Sequence, residues 1–235
     1  MTDQGFNFSR RSIHSRIWIG LVLTGAALAG PSVATAQAHP DFSGVWETQF
    51  REVVHTDDGK VPPMMAAPLA AYNARVAKEN AGDQVPDPVA SCLPHGMPRA
   101  MYTPYPLRIM QQSDVVGMLF EANHLIRLVY MDEKLPVDPD PTYMGYSVGH
   151  WEGSTLVIET AGLNDKILVD RAGLPESEHT RITERFSLID GGKQAQDKIT
   201  VTDDTLYTAP WSFTIQYRKT KSKLMEFVCD NMRPG

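Results

Sequence analysis

From residue 107 to residue 219 the chain is a succession of short apolar runs, each closed by turn residues. The runs cover 107–112, 115–121, 125–131, 145–151, 154–160, 180–189, 196–202 and 211–219. In the last of them Trp211, Phe213, Ile215 and Tyr217 alternate with Ser212, Thr214, Gln216 and Arg218. That period of two is the pattern of a strand with one buried face. Residues 151–154 (WEGS) and 190–193 (DGGK) are tight hairpin connections. With a further strand over 40–50, about nine strands follow one another through turns. Such a meander has exposed edges unless it closes, so the pattern predicts an antiparallel β-barrel. A barrel of this size has an interior just wide enough for one small ligand.

Two segments depart from the pattern. Residues 66–80 (AAPLAAYNARVAKEN) are rich in helix formers and are followed by Gly82, which predicts one helix near the N-terminus of the domain. Residues 84–106 hold six of the chain's 17 prolines. Proline fixes φ and removes a donor, so this stretch is a loop. Met97, Met101, Tyr102 and Tyr105 make it too apolar for a solvated linker, and it is expected to pack across the barrel.

The N-terminus has a different purpose. Arg10, Arg11 and Arg16 precede an apolar run over 17–30, and small residues follow around Ala34 and Ala36. This order is that of a secretory signal peptide over 1–36, leaving 37–235 as one barrel domain. Residues 9–13 (SRRSI) also match a twin-arginine export signal, although His14 stands where that signal prefers an apolar residue; both export routes stay open. The run is shorter than the ~20 residues of a membrane span. Removing the leader takes away three of 22 basic and one of 28 acidic residues, so the formal charge moves from −6 to −8. A net acidic chain without a basic cluster argues against nucleic acid and anionic membranes as partners. A periplasmic or secreted location is the expectation. There an even pair of cysteines, Cys92 and Cys229, most simply forms one disulfide, the alternative being a free nucleophilic thiol.

Signatures of nucleotide-dependent, zinc-dependent and serine-hydrolase chemistry are missing, so neither cofactor nor metal is expected. The first strand carries Gly44-x-Trp46, and Gly149-x-Trp151 recurs in the middle of the chain. Lipocalin-like (calycin-type) barrels often begin with that tripeptide, the indole plugging the closed end, so the mainly β chain resembles them. The chemistry-bearing candidates are polar residues inside apolar runs. Glu121 ends VVGMLFE, Arg127 interrupts LIRLVYM, and Tyr143, Tyr146, His150 and Trp151 lie in TYMGYSVGHW. Glu184 alternates with Ile182 and Phe186 and so points where they point. A carboxylate on an apolar face costs several kcal/mol unless it is paired or sits in a wet cavity. Either a structural ion pair, with Arg127 or Arg185 satisfying Glu121 or Glu184, or a shared ligand site would explain these residues. In the second case Arg127 would bind an anionic group, and Tyr143 or His150 would move a proton with Glu121 or Glu184.

Residues 92–99 (CLPHGMPR), 143–153 (YMGYSVGHWEG) and 155–160 (TLVIET) resemble a large group of exported proteobacterial proteins over the whole span from Asp41 to Cys229. This chain has Tyr146, Ser154 and Glu176 where that group commonly has His, Asp and His. The resemblance implies a cofactor-free lyase, a decarboxylase or formaldehyde-releasing enzyme, acting on the side chain of a lignin-derived aromatic. Phenolic acid decarboxylases, also lipocalin-like barrels, use Tyr, Arg and Glu, a parallel at the level of fold alone. Tyr143, His150, Glu121 and Glu184 would then be catalytic. Arg127, Arg99, His95, Tyr102, Tyr146 and Trp151 would contact the substrate, with the proline-rich loop as a cover. The rival expectation is an exported carrier that binds a small apolar or aromatic ligand without chemistry.

Overall fold

The computed structural model describes residues 39–48 and 50–229; the expected leader lies outside them. Nine strands form a closed barrel in sequence order. They are β1 (Gly44–Thr48), β2 (Leu107–Gln111), β3 (Val115–Phe120), β4 (Ile126–Met131), β5 (Tyr146–Glu152), β6 (Thr155–Ala161), β7 (Arg181–Ile189), β8 (Gln194–Thr202) and β9 (Trp211–Thr220). Pairing of β1 with β9 closes the wall, which removes both edges. The helix forms as expected, α1 (Ala66–Asn80), between β1 and β2.

One pairing corrects the sequence reading. β4 and β5 run parallel, with Tyr130 beside Val148, whereas every other neighbour pair is antiparallel. A parallel pair cannot be joined by a hairpin. The connection 132–145 therefore travels from one end of the barrel to the other, and its prolines suit that extended path.

The strand directions sort the connections by end. The turns 112–114, 153–154 and 190–193 lie at one end. The connections 49–106, 121–125, 162–180 and 203–210 gather at the other, together with α1.

The short-turn end is sealed by aromatic side chains. Phe42 meets Phe186 edge-on at 4.9 Å and lies over Trp151 at 5.9 Å. Trp46 is fully buried and donates its indole N–H to the Phe42 carbonyl at 2.9 Å. Lys219 of β9 crosses the face of that indole at 5.3 Å. Gly44 is fixed by this arrangement: its φ is +139°, and a Cβ there would come within 2.6 Å of Lys219 Cε. The Gly-x-Trp at the start of β1 is thus the closed-end plug of a lipocalin-like barrel.

Candidate functional site

At the loop end the interior is covered by residues 92–106, the proline-rich flap. Met97, Met101 and Tyr102 turn inward and are buried. The Met97 N–H donates to the Tyr143 carbonyl at 2.9 Å, and the Tyr102 hydroxyl donates to the Val169 carbonyl. Tyr217, deep in the wall, donates to the Met101 carbonyl at 2.9 Å. Gly96 permits the close fit, because a Cβ there would lie 2.9 Å from the Tyr143 carbonyl oxygen in a backbone with φ +66°. A disulfide joins Cys92, at the start of the flap, to Cys229 in the C-terminal strap. Phe227 of the strap packs edge-on against Tyr105 at 5.1 Å, and its N–H donates to His124 Nε2 at 3.0 Å. Glu121 accepts the Met225 N–H at 2.7 Å. The flap is therefore held from beneath by the barrel and from outside by the strap.

Directly under Met101 lies a buried polar cluster. Arg127 (β4) points inward and is 2% exposed. Glu184 (β7) faces it with both oxygens, Oε1 at 2.9 Å from Nη1 and Oε2 against Nη2. Arg127 Nε donates to Ser147 at 3.0 Å and Nη2 to Thr160 at 2.8 Å, and those two hydroxyls bond each other at 2.9 Å. Nη1 has only sulfur for its other neighbours, Met101 at 3.7 Å and Met118 at 3.9 Å. Thioether sulfur is a weak acceptor, so this edge of the guanidinium is its least satisfied side.

One layer deeper, Asp197 (β8) is wholly buried, and its oxygens make no well-formed hydrogen bond among the described residues, the Glu184 carboxyl and the Arg185 backbone N–H being its polar neighbours. Burial, and then the negative charge of Glu184, push its pKa well above the usual carboxylate range, with Arg127 only partly offsetting them. One guanidinium faces two carboxyl groups, an arrangement that favours the protonated form of Asp197. Burial likewise holds the Tyr217 phenol far above its ordinary pKa, with Asp197 and Glu184 adding to the effect.

The structure brings together only part of the set expected from sequence. Glu184 and Arg127 meet, and Tyr102 sits in the flap near them. His150 and Tyr146 lie on the outer face of β5. His150 Nε2 is 3.4 Å from Glu152, which also pairs with Arg185 at 2.7 Å, and the Tyr146 hydroxyl donates to Glu133 at 3.1 Å. The period of two explains this: on β5 the inward positions are Ser147, Gly149 and Trp151. Trp151 belongs to the closed end, stacked on His39 at 4.5 Å. Glu121 lies in the β3–β4 connection, and Tyr143, partly exposed, lies in the β4–β5 connection.

Arg99 is held bidentately by Asp87 at 2.8 and 2.7 Å, bracing the root of the flap. Burial opposes ionisation of Asp87, yet the Arg99 hydrogen bonds and charge hold its pKa below the usual range. His95 is buried, with Nδ1 2.8 Å from Asn123 Oδ1, and burial lowers its pKa so that it is neutral at pH 7. Phenol and imidazole thus do not share the interior with the Arg127 cluster in the way the sequence suggested.

Asp197 went unrecognised, although its signal was that of Glu184: Ala195, Asp197, Ile199 and Val201 alternate along β8. Ser147 and Thr160 carried no signal beyond strand parity. The described residues include no group of three or more His, Cys, Asp or Glu able to hold a metal ion. None of their helices is long and apolar enough to cross a membrane. Compared with known protein families and with curated proteins, the chain matches no family model and no curated sequence.

Proposed function

We propose that this protein is a cofactor-independent carbon–carbon lyase of the periplasm or cell exterior, acting on the side chain of a lignin-derived aromatic compound. Glu184 and Asp197 form its acid–base pair and Arg127 is its anion-holding group. The site is reached when the flap over 92–106 lifts. The observation that carries this reading is a second carboxyl group, Asp197, wholly buried beside the Arg127–Glu184 pair, where burial and the Glu184 charge favour its protonated form. A scaffold gains little from a third buried ionisable group, since apolar residues of similar volume serve stability as well or better. Carboxyl groups whose environments drive their pKa values apart are instead the means by which acid–base sites work near neutral pH.

The chemistry requires few parts. Withdrawal of Met101 frees the sulfur-facing edge of Arg127 for an oxyanion of the substrate. A para-hydroxyaryl substrate that gives its phenolic proton to the Glu184 carboxylate and loses its benzylic hydroxyl, protonated by Asp197 and released as water, is a quinone methide. Breaking the bond to a neighbouring carboxylate or hydroxymethyl group then releases carbon dioxide or formaldehyde. The hydroxymethyl route also gives up the hydroxyl proton to a base. The bonding pair becomes the new alkene and the ring regains its phenolate, which takes up a proton. Met97, Met101, Tyr102 and Phe213 would exclude water from this step.

The test is incubation of the purified mature protein, without added cofactor, with aromatic acids and hydroxymethyl compounds from lignin breakdown. Carbon dioxide, formaldehyde and ultraviolet-absorbing stilbene or vinyl products are followed. Turnover abolished by Asp197→Asn supports the proposal. Tight binding of the same compounds without turnover identifies the protein as a carrier and overturns it.

A further inference from the structure

The outer wall over β2, β3 and β4 carries an apolar surface that the barrel itself does not use. Outward side chains lie there in three registered rows. Arg108, Leu119 and Ile126 form the first, and Met110, Gly117 and Leu128 the second. Val115 and Tyr130 form the third, with exposed Gln112 beside them. Ile126 is 61% exposed, Met110 44% and Leu128 43%. Strand spacing makes the patch about 14 Å along the strands and about 10 Å across them. Its central position, Gly117, is not glycine for any internal reason: a Cβ there would touch Met110 and Leu128 only at ordinary distances, 3.7 and 3.9 Å. The missing side chain leaves a shallow hollow between two long apolar ones.

The charges around the patch say what fits it. Arg108 stands exposed at one end and Asp114 exposed at the other, and neither side chain has an ion-pair or hydrogen-bond partner among the described residues. A two-fold axis along the Met110–Gly117–Leu128 row sets the first row of one copy over the third row of the other. Ile126 then lies over Tyr130, Met110 and Leu128 face their own copies and lean into the shared space left by the two Gly117 positions, and Arg108 of each copy meets Asp114 of the other. The surface is complementary to itself, as an isologous contact must be. We propose that the β2–β3–β4 face is the interface of a weak homodimer, which leaves both flaps free. An apolar centre this small fits a transient association rather than an obligate one.

Sedimentation of the mature protein over a concentration series tests this. A reversible monomer–dimer equilibrium is expected, with a dissociation constant of roughly 10–100 µM. Leu128→Asp should leave monomer throughout. Arg108→Glu should weaken the dimer about ten-fold, and adding Asp114→Arg to it should restore the original constant. All these positions are on the outer surface, so unchanged melting midpoints exclude a folding defect. A wild-type protein that stays monomeric at every concentration overturns the proposal, as does a dimer indifferent to both substitutions. A monomer that floats with phosphatidylcholine vesicles and loses this property in Leu128→Asp overturns it in favour of a lipid surface.

Discussion

The two ends of the barrel interior are built on different principles. At the short-turn end, Phe42, Trp46, Trp151 and Phe186 interlock, and the one buried indole N–H there, that of Trp46, has its acceptor. Gln111 secures the entering chain by accepting the Phe42 N–H at 2.9 Å and donating to the Pro40 carbonyl at 3.0 Å. At the flap end, Glu176 and the Trp211 indole N–H are buried without a hydrogen-bond partner among the described residues, above Arg127, Glu184 and, in mid-barrel opposite Phe186, Asp197. Burial, then Asp203, raises the pKa of Glu176 well above the ordinary carboxyl range. One end is optimised for stability. The other holds ionisable groups that stability does not need, beneath a cover tied down by a covalent bond. This contrast is what the assignment of function to the flap end rests on.

The contrast can be broken from either side. The largest effect is expected from Cys92→Ser, which frees the C-terminal strap from the flap. The disulfide closes a span of 137 residues, and its loss should cost about 4–5 kcal/mol on the chain-entropy model. Hydrogen exchange should rise first at Met97, Met101 and Tyr102, and leave Trp46 protected. Equal loss of protection at both ends would remove the distinction between them.

Next comes Arg127→Ala, which strands two buried carboxyl groups and should destabilise the fold by about 3–5 kcal/mol in denaturant unfolding. Asp197→Asn is expected to separate stability from activity. It should reduce turnover ~10²-fold or more while leaving stability at pH 8 equal to or above that of the wild type. The sign follows from linkage. The folded state binds the Asp197 proton more tightly than the unfolded chain does. Its stabilising contribution is complete below about pH 4 and declines as pH rises toward the group's raised pKa. Asparagine has no proton to lose, so the difference between variant and wild type should widen with pH in favour of the variant.

At the closed end, Lys219→Ala should cost less than about 1 kcal/mol and leave activity unchanged, because it removes only a cation–π contact. The smallest effects belong to His150→Gln and Tyr146→Phe on the outer face of β5, which should leave turnover within about two-fold. A large loss of activity in either would move the site to the outside of the barrel.

Most of the fold was legible because a barrel strand writes its two faces into the sequence. Trp211 to Tyr217 showed this alternation, and Glu184 was placed inward by the same parity. The parallel β4–β5 pair was not legible, since a strand reads the same in either direction and only the path of 132–145 sets its neighbour. Within the site, the parity that turns Glu184 of β7 inward also turns His150 of β5 outward and Asp197 of β8 inward. His150 shares a motif with Gly149 and Trp151, yet adjacent strand residues face opposite sides. Asp197 shares its phase with Ile199 and Val201 inside the expected run over 196–202, so its inward direction was legible there. That Arg127 pairs with Glu184 rather than Arg185 with Glu184 also follows from parity, because Arg185 is the outward neighbour.

The central claim is that the barrel interior beneath the flap shelters a carboxylic acid, Asp197, that keeps its proton near neutral pH. Infrared difference spectroscopy of wild type against Asp197→Asn at pH 7 measures this directly. The account predicts a protonated-carboxyl carbonyl band in the wild type that disappears in the variant, with the Arg127–Glu184 pair intact in both. A difference spectrum showing only the loss of an ionised carboxylate would contradict it.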